Sequence, residues 1–355
     1  MKANAIPIEN IYYLLCYAWD RLPEAEIVMV ARDPGTELVD LFARVLAGGV
    51  AHLLKRGLDR SYKVQTEELP GIRGRLELSQ SLQRASFIHA HAVCTFDEMS
   101  ANVLHNQIIK TTMRRLTSAA KLNYRWSEEL DNLYRRMPGV AEIRLTGALF
   151  RRVVLGRNAA AYRFPLDVCE VLYRHLLVDE RSGETRFRDF TRHDKEMARL
   201  FERFLFRFYQ KEQRRYRVRA LHLRWSANGN ADDLAHLPRM RTDIVLYNKH
   251  ERIVIDAKYY GATLTEYMSK TTVRSSHLYQ LFSYMKHLAP PPSGRPVRGM
   301  LIYPKTTRSV SVRAELHGHP FLAATIDLAQ PWQQIEADLL GLLPKRELPL
   351  LASSP

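Results

Sequence analysis

Two aspartates interrupt the apolar segments of the stretch RTDIVLYNKHERIVIDAKYY, which covers residues 241–260. Asp243 and Asp256 stand beside β-branched residues, although aspartate is a poor strand former and a carboxylate next to a buried apolar run costs free energy unless it is satisfied. Lys258 follows Asp256 by two positions, so both side chains lie on one face of an extended chain. The pattern predicts a polar site that is built into two neighbouring strands.

Carboxylates at the ends of adjacent strands offer hard oxygen ligands. Asp243 and Asp256 are 13 positions apart, a separation that an antiparallel hairpin can bring into register. Mg²⁺ binds one or two carboxylates together with waters and phosphate oxygens. A lysine beside such an ion can position a water or offset charge on a phosphate. The alternative is a surface hairpin in which Asp256 simply pairs with Lys258.

The elements that position these groups follow from hydrophobic periodicity. The segments DIVLYN and RIVIDAKYY predict two strands joined by a short polar turn. An amphipathic helix is predicted before them in HDKEMARLFERFLFRFYQKEQRR, and another helix after them in SSHLYQLFSYMKHL. Further strands are predicted at ALHLRW, VRGMLIYP, VSVRAEL and FLAATIDL, and a last helix at WQQIEADLLGLL. This order predicts an α/β core with a mixed central sheet.

The first part of the chain predicts a separate module. Helical periodicity occurs in IENIYYLLCYAWDRL, TELVDLFARVLAGGVAHLLKRGL and ANVLHNQIIKTTMRRLTSAAKL. A β-like segment lies between the last two, with tight turns at Pro70-Gly71 and Gly74. The pair Gly48-Gly49 predicts a bend near a helix end. We therefore predict an α+β domain over residues 1–165 and the α/β domain over residues 166–355.

Charge is the unusual feature of the composition. The chain has 53 Lys+Arg and 38 Asp+Glu, a net charge of +15, and a pI near 9.8. This balance favours a polyanionic partner such as nucleic acid, or else a generally basic protein. The three cysteines are scattered, which fits a reducing compartment and argues against structural zinc. The N-terminal segment predicts neither a signal peptide nor a membrane span, so we expect a cytoplasmic protein.

Gln280 adds a further polar group to the pattern. It precedes Tyr284 by four residues on the predicted helix, so both lie on one helical face. Together with Asp243 and the tripeptide Asp256-Ala257-Lys258, this Gln-x-x-x-Tyr helix resembles the PD-(D/E)xK nuclease superfamily, in the branch of the RecB-like nucleases. Thr242 stands where that pattern has proline, which takes no part in the chemistry.

The resemblance implies roles for these residues. Asp243, Asp256 and the carbonyl of Ala257 would hold the metal ion. Lys258 would orient or activate the attacking water, and Gln280 would support the site. The implied cofactor is Mg²⁺, with Mn²⁺ as the alternative.

Longer motifs extend the resemblance to nearly the whole chain. The segments IPIENIYYLLCYAW, LPGIRGRLEL, TFDEMSANVLHNQIIKTTM and LPRMRTDIVLYNKHERIVIDAKYY are similar to the nuclease subunits of the modified-cytosine-dependent McrBC restriction systems. The resemblance implies an AAA+ GTPase partner of the McrB type, whose hexamer recognises and translocates methylated double-stranded DNA. The N-terminal domain would stimulate that GTPase. A double-strand break would need two copies of the chain or two passes.

Other candidate residues keep two interpretations. This chain has no GxxxxGK[ST] loop, so GTP is expected only through the partner. Glu202, on the helix before the strands, is a further candidate metal ligand or a solvated glutamate. Arg73 and Arg75 flank Gly74 and either contact the AAA+ partner or form an ordinary basic turn. A basic run predicts contacts with the DNA backbone, or a solvated face: Lys211, Arg214, Arg215, Arg217 and Arg219.

Two functions of other kinds remain open on the sequence. One is a stand-alone repair nuclease of the RecB type, which would cut without GTP. The other is a non-catalytic basic adaptor that regulates an AAA+ motor. The complete set of Asp243, Asp256 and Lys258 argues against the adaptor, because a degenerate nuclease site usually lacks at least one of these groups.

Overall fold

A computed structural model describes residues 6–20, 37–178, 185–259, 265–267, 270–289, 295–306 and 309–344. The chain divides into two compact units. One unit consists of residues 6–20 and the described residues from Asp189 onward, and it contains Asp243, Asp256 and Lys258. Residues 37–178 and 185–188 form the other unit. The division therefore falls after Arg188 rather than after residue 165, and the first helix belongs to the C-terminal unit.

The helices and strands are numbered in chain order. The α-helices are α1 (Ile8–Ala18), α2 (Leu38–Arg56), α3 (Leu78–Gln83), α4 (Leu104–Thr117), α5 (Tyr124–Arg135), α6 (Gly147–Arg152), α7 (Arg163–His175), α8 (Asp194–Glu212), α9 (Ala231–Ala235), α10 (Ser275–Leu288) and α11 (Trp332–Gly341). The strands are β1 (Ser61–Leu69), β2 (Arg75–Leu76), β3 (Ala92–Ser100), β4 (Leu176–Val178), β5 (Thr185–Phe187), β6 (Arg217–Arg219), β7 (His222–Leu223), β8 (Met240–Arg241), β9 (Ile244–Tyr247), β10 (Arg252–Ala257), β11 (Thr265–Tyr267), β12 (Lys270–Thr272), β13 (Val297–Pro304), β14 (Ser311–Leu316) and β15 (His319–Ile326). No helix of the described residues is long and apolar enough to cross a membrane.

The unit of residues 37–188 combines helices with an antiparallel sheet of order β1-β3-β2. Gly74 turns the chain into β2 with φ +71°, and a Cβ there would lie 2.5 Å from the carbonyl oxygen of Thr95. One local prediction was wrong, because helix α2 continues through Gly48-Gly49. Strand β2 is short, and α3 begins at Leu78 directly after it.

The C-terminal unit is built on a six-stranded sheet of order β14-β15-β13-β10-β9-β6. Strands β10, β13 and β15 run parallel, and β9, β6 and β14 are antiparallel to their neighbours. Because β10 is central and buried on both faces, its sequence RIVIDA is almost continuously apolar. The mixed sheet predicted from the order of the elements is confirmed.

Helices cover both faces of this sheet. Helix α10 packs on β10 and β13, where Val254 and Leu301 join its apolar side chains in one cluster. The alternate residues Ile253 and Ile255 point to the opposite face, and α8 packs against β6 and β10. Helix α1 packs on α8. The sheet therefore fixes the strand carrying Asp256 between two helical layers.

Gly299 sets how closely α10 approaches the sheet. It lies in β13 opposite Val254, and a Cβ at this position would be 2.4 Å from the Sδ of Met285 and 2.9 Å from a methyl carbon of Leu281. Only a residue without a side chain leaves room for this contact. The glycine thus permits the helix that carries Gln280 to lie directly on the strands.

Candidate active site

Asp243 and Asp256 face each other across the β9–β10 hairpin. The register pairs Ile244 with Ile255, so the next pair outward is Asp243 with Asp256. Directly opposed residues of antiparallel strands lie on the same face of the sheet. Asp243 accepts a hydrogen bond from the backbone N–H of Ala257 through Oδ2, at 2.9 Å. The hairpin register predicted from the spacing is confirmed.

Lys258 continues the same face one step beyond the end of β10. Its backbone N–H donates to the carbonyl of Ile302 at 3.0 Å, which ties this residue to β13. Its Nζ atom lies 2.8 Å from Oδ2 of Asp256 and donates to Oε1 of Gln280 at 2.9 Å. The strand end and helix α10 therefore hold the ammonium group between a carboxylate and an amide.

Gln280 and Tyr284 connect this lysine to the strand that leads into Asp243. The Gln280 amide donates from Nε2 to the hydroxyl of Tyr284 at 2.8 Å. The Tyr284 hydroxyl in turn donates to the backbone carbonyl of Arg241 at 2.7 Å. The structure thus brings together Lys258, Gln280 and Tyr284 in one chain of hydrogen bonds, which fixes the orientation of the amide.

The carboxylates lie in a protected, electrostatically strained position. Asp256 is fully buried, and neither of its carboxylate oxygens accepts a well-formed hydrogen bond from the described residues. Burial raises its pKa to about 7, against the lowering effect of Lys258, and the nearby Asp243 carboxylate raises it further. Burial also raises the pKa of Asp243, against the Ala257 N–H and Lys258. Binding of a cation would therefore stabilise the ionised forms of the two carboxylates.

Glu202 on α8 belongs to the same electrostatic environment. Burial raises the pKa of this carboxyl group, and the charge of Asp243 raises it further. The Arg241 guanidinium lies 3.9 Å from Glu202 and opposes that shift. Glu202 is therefore a partly buried acid near the aspartates, and its role as a metal ligand stays a prediction.

The residues present fit a divalent cation with few protein ligands. Among the described residues, no group of three His, Cys, Asp or Glu side chains is arranged to hold a metal ion. Asp243 and Asp256 together with a backbone carbonyl match the preference of Mg²⁺, which keeps several waters and takes one or two carboxylates. The fully buried Asp256 carboxylate has only the Lys258 ammonium as a close partner among the described residues, which is consistent with that ligand set.

A histidine–tyrosine pair next to the lysine was missed in the sequence. His277, on the first turn of α10, lies with its Nδ1 3.0 Å from the hydroxyl of Tyr303, and both side chains are buried. Burial lowers the pKa of His277 to about 4, and the charges of Lys258 and Arg274 lower it further. The signal was present, because His277 precedes Gln280 and Tyr284 by three and seven residues on one helix.

The basic run extends from the end of α8 to the edge strand β6. Arg217 lies on the edge strand β6 and pairs with Tyr247 of β9. Tyr247 is four positions from Asp243 along the chain, which corresponds to about 13 Å. Lys211 binds Asp20 at 2.7 Å, and Arg215 donates to the carbonyl of Pro344 at 2.7 Å. Arg214 and Arg219 are exposed. Along β6 the run thus approaches Asp243 only at its end, at Arg219, and its contact with DNA stays a prediction.

Arg73 and Arg75 lie at the turn between β1 and β2, as their glycine neighbours predict. The Arg73 guanidinium lies 4.2 Å from the ring centroid of Phe96. Arg75 donates to the carboxylate of Glu77 through Nε at 2.9 Å and Nη2 at 2.6 Å. Both side chains belong to the unit of residues 37–188, and their contact with a partner stays a prediction.

Comparison with known proteins gives a consistent assignment. The family model described as "McrBC 5-methylcytosine restriction system component" matches residues 9–304. The chain is 35% identical over 343 residues to the Escherichia coli (strain K12) protein named "Type IV methyl-directed restriction enzyme EcoKMcrBC", covering 96% of this chain and 98% of the relative.

One solved structure shows the same fold at low sequence identity. A chain of the "Refined half-complex from tetradecameric assembly of Thermococcus gammatolerans McrB AAA+ hexamers with bound McrC" superposes with a TM-score of 0.64 at 17% identity, covering 95% of this chain and 76% of that one. A chain of the "Cryo-EM structure of the Thermococcus gammatolerans McrBC complex" gives a TM-score of 0.44 at 21% identity, covering 59% and 60%. From the family match and the identity over almost the full length, this chain belongs to the family of McrBC 5-methylcytosine restriction system components.

Proposed function

We propose that this chain is the endonuclease subunit of a GTP-dependent restriction complex, with a nuclease domain of the PD-(D/E)xK type. Its substrate is double-stranded DNA that contains methylated cytosine, and its reaction is hydrolysis of a phosphodiester. The observation that carries the proposal is the convergence of Asp243, Asp256 and Lys258 at one end of the β9–β10 hairpin, with Gln280 bonded to the lysine.

The proposed cofactor is Mg²⁺, with Mn²⁺ as the alternative. Asp243, Asp256 and the Ala257 carbonyl would hold it, and Glu202 would add negative charge beside them. When bound, the ion polarises the phosphate and lowers the pKa of a water ligand. The raised pKa values of the two aspartates support this proposal, because their charges are poorly compensated without a cation.

In the proposed reaction, the side chains of this chain bind the phosphate and orient the attacking water. Lys258 is 14% exposed, so its ammonium group lies in a protected position in which its charge is weakly screened. It donates toward a phosphate oxygen or the attacking water and offsets the negative charge that develops there. Gln280 accepts from the lysine and fixes its direction, and Tyr284 fixes the amide.

The proposed partner is an AAA+ GTPase hexamer of the McrB type, which alone uses GTP. The name of the E. coli relative and the shared fold with the archaeal complex support this partner. We assign the partner contact and the stimulation of GTP hydrolysis to the unit of residues 37–188, with Arg73 and Arg75 as contact residues. The complex acts in the cytoplasm, and a double-strand break requires two copies or two passes.

Cleavage of methylated duplex DNA in the presence of partner, GTP and Mg²⁺ tests the proposal. Asp256→Ala and Lys258→Ala should abolish cutting while the partner is still retained in a pull-down. Lys286→Gln, which removes an exposed charge from α10, is the matched control and should cut normally. Normal cutting by either active-site variant would refute the assignment. Cutting by the purified chain without partner and GTP would instead support a stand-alone nuclease.

A further inference from the structure

A groove of 1280 Å³ opens at the end of the six-stranded sheet that is remote from Asp256. It is bounded by the β9–β10 turn, the first residues of β13 and β15, part of β14, and the chain after α11. The turn residue Glu251 precedes Asp256 by five positions along β10, so the groove begins about 17 Å from the carboxylates. It is therefore a site distinct from the candidate active site.

Positive charge dominates the rim of this groove. The cationic and histidine residues that line it come from four separate segments of the chain: Arg215, Lys249, His250, Arg298 and Arg313. The one carboxylate among the lining residues, Glu251, is already bonded to the Nε of Arg298 at 2.7 Å and to the Tyr216 hydroxyl at 2.6 Å. The remaining charge of the rim is strongly positive.

The rim charges differ in what they do within the fold. Arg215 and Arg298 hold neighbouring groups, because they donate to the Pro344 carbonyl and to Glu251. The side chains of Lys249 and Arg313 are exposed and form no hydrogen bond or ion pair within the described part of the chain. Apolar side chains such as Ile253, Met300 and Leu322 line the floor. A cleft with one sign of charge and a low-dielectric wall concentrates the field toward an anionic ligand.

The groove and the carboxylates lie on opposite faces of the sheet, since the lining residue Ile253 alternates with Val254 and Asp256 along β10, and the edge strand β6 borders both faces. Arg219 pairs with Val245, two residues from Asp243, and Arg217 pairs with Tyr247 nearer the groove. Both arginines are exposed on the edge strand β6. A duplex that contacts both the carboxylates and the groove must therefore pass around β6.

We propose that this groove is a second contact for the phosphate backbone of duplex DNA, which anchors the substrate away from the cut. The inference rests on the proposed nuclease function and extends it, because it assigns a DNA path that passes around the edge strand β6. Guanidinium and ammonium groups on an open rim neutralise phosphates without reading sequence. The groove thus contributes affinity and salt dependence but no base preference.

DNA binding by the full chain in EDTA tests this assignment without cleavage. For a labelled duplex, fluorescence anisotropy over about 50–200 mM salt gives the slope of log K against log salt, and each lost phosphate contact should make it shallower by about 0.9. We expect Lys249→Gln and Arg313→Gln each to reduce the slope by that amount, and the double variant by about 1.8. The control Lys286→Gln should leave it unchanged.

Three results would overturn the inference. The first is a double variant with the slope of the unsubstituted chain. The second is an equal loss of slope in Lys286→Gln, which would make the effect one of net charge alone. The third is an unchanged DNA slope with lost binding of the GTPase partner, which would make the groove a protein contact. Because no cutting is measured, failure here is separable from failure of Asp256→Ala to abolish cleavage.

Discussion

Lys258 and Gln280 are joined by a hydrogen bond of 2.9 Å across 22 positions of the chain. The lysine stands at the end of β10, and the glutamine stands on the helix that covers the same face of the sheet. Each group restricts the other, because the amide oxygen accepts from the ammonium while the amide nitrogen donates to Tyr284. The direction of the lysine is thus set by the packing of α10 rather than by its own strand.

Loss of the Gln280 amide should lower the cleavage rate more than the affinity for DNA. We expect Gln280→Ala and Tyr284→Phe to reduce kcat about 10- to 100-fold, as outer-shell substitutions at metal sites do. The reason is that Lys258 loses its second anchor while Asp243 and Asp256 keep their positions. Single-turnover cleavage by the assembled complex measures this effect. Tyr279→Phe on the exposed side of α10 is the control, and equal losses in it would contradict the role of the hydrogen-bond chain.

The buried Asp256 should make the metal-free protein less stable as the pH rises. Its folded pKa of about 7 lies above the ordinary value of 3.8 for an aspartate, so the unfolded chain releases the proton at lower pH. The contribution of this group to stability is therefore complete below about pH 4 and is lost as the pH rises through about 7. Relative to the unsubstituted chain, Asp256→Asn should gain roughly 2–4 kcal/mol between pH 4 and pH 8. Chemical denaturation in EDTA measures the difference, and a gap that does not change with pH would refute the expectation.

Metal binding should depend on Glu202 without requiring it. The Glu202 carboxylate acts on Asp243 through its charge, yet no three such ligands are arranged together among the described residues. We expect Glu202→Gln to weaken Mg²⁺ binding about tenfold. The measurement is the Mg²⁺ concentration that gives half of the thermal shift. Glu315→Gln on the exposed strand β14 is the control. Unchanged affinity in Glu202→Gln would favour the solvated glutamate.

The sequence predicted the local part of this site. The pairing of Asp243 with Asp256 depends on one short hairpin, and Asn248 closes its turn by accepting from the N–H groups of His250 and Glu251. The face shared by Gln280 and Tyr284 depends only on the helical repeat. Short-range geometry of this kind can be read from spacing.

Long-range pairings could not be read in the same way. The position of Arg217 depends on which end of β9 the edge strand β6 joins, and no local spacing specifies that register. Helix α1 is placed by its Asn10 side chain, which donates to the carbonyls of Leu328 and Gln330 more than 300 positions away. For the same reason the predicted boundary at residue 165 differs from the division after Arg188.

The close packing of α10 on β13 gives a test of how the helix supports the site. In Gly299→Ala the new Cβ would lie 2.4 Å from the Sδ of Met285 and 2.9 Å from Leu281, so these side chains must shift, and we expect the helix to move with them. We expect a loss of about 1–3 kcal/mol in the free energy of unfolding. Cleavage should fall as well, because Gln280 moves with the helix away from Lys258.

A double variant separates this displacement from general damage. Met285→Ala alone leaves a cavity that costs about 2–5 kcal/mol. Combined with Gly299→Ala it makes room for the new methyl group. The double variant should therefore lose less unfolding free energy than the sum of the losses in the two single variants. Gly341→Ala is the control, since no atom lies within 4 Å of its Cβ position at the end of α11. Urea denaturation and cleavage rates on the same four proteins give the comparison. Strictly additive losses would show that α10 does not pack on Gly299 in the way that positions Gln280.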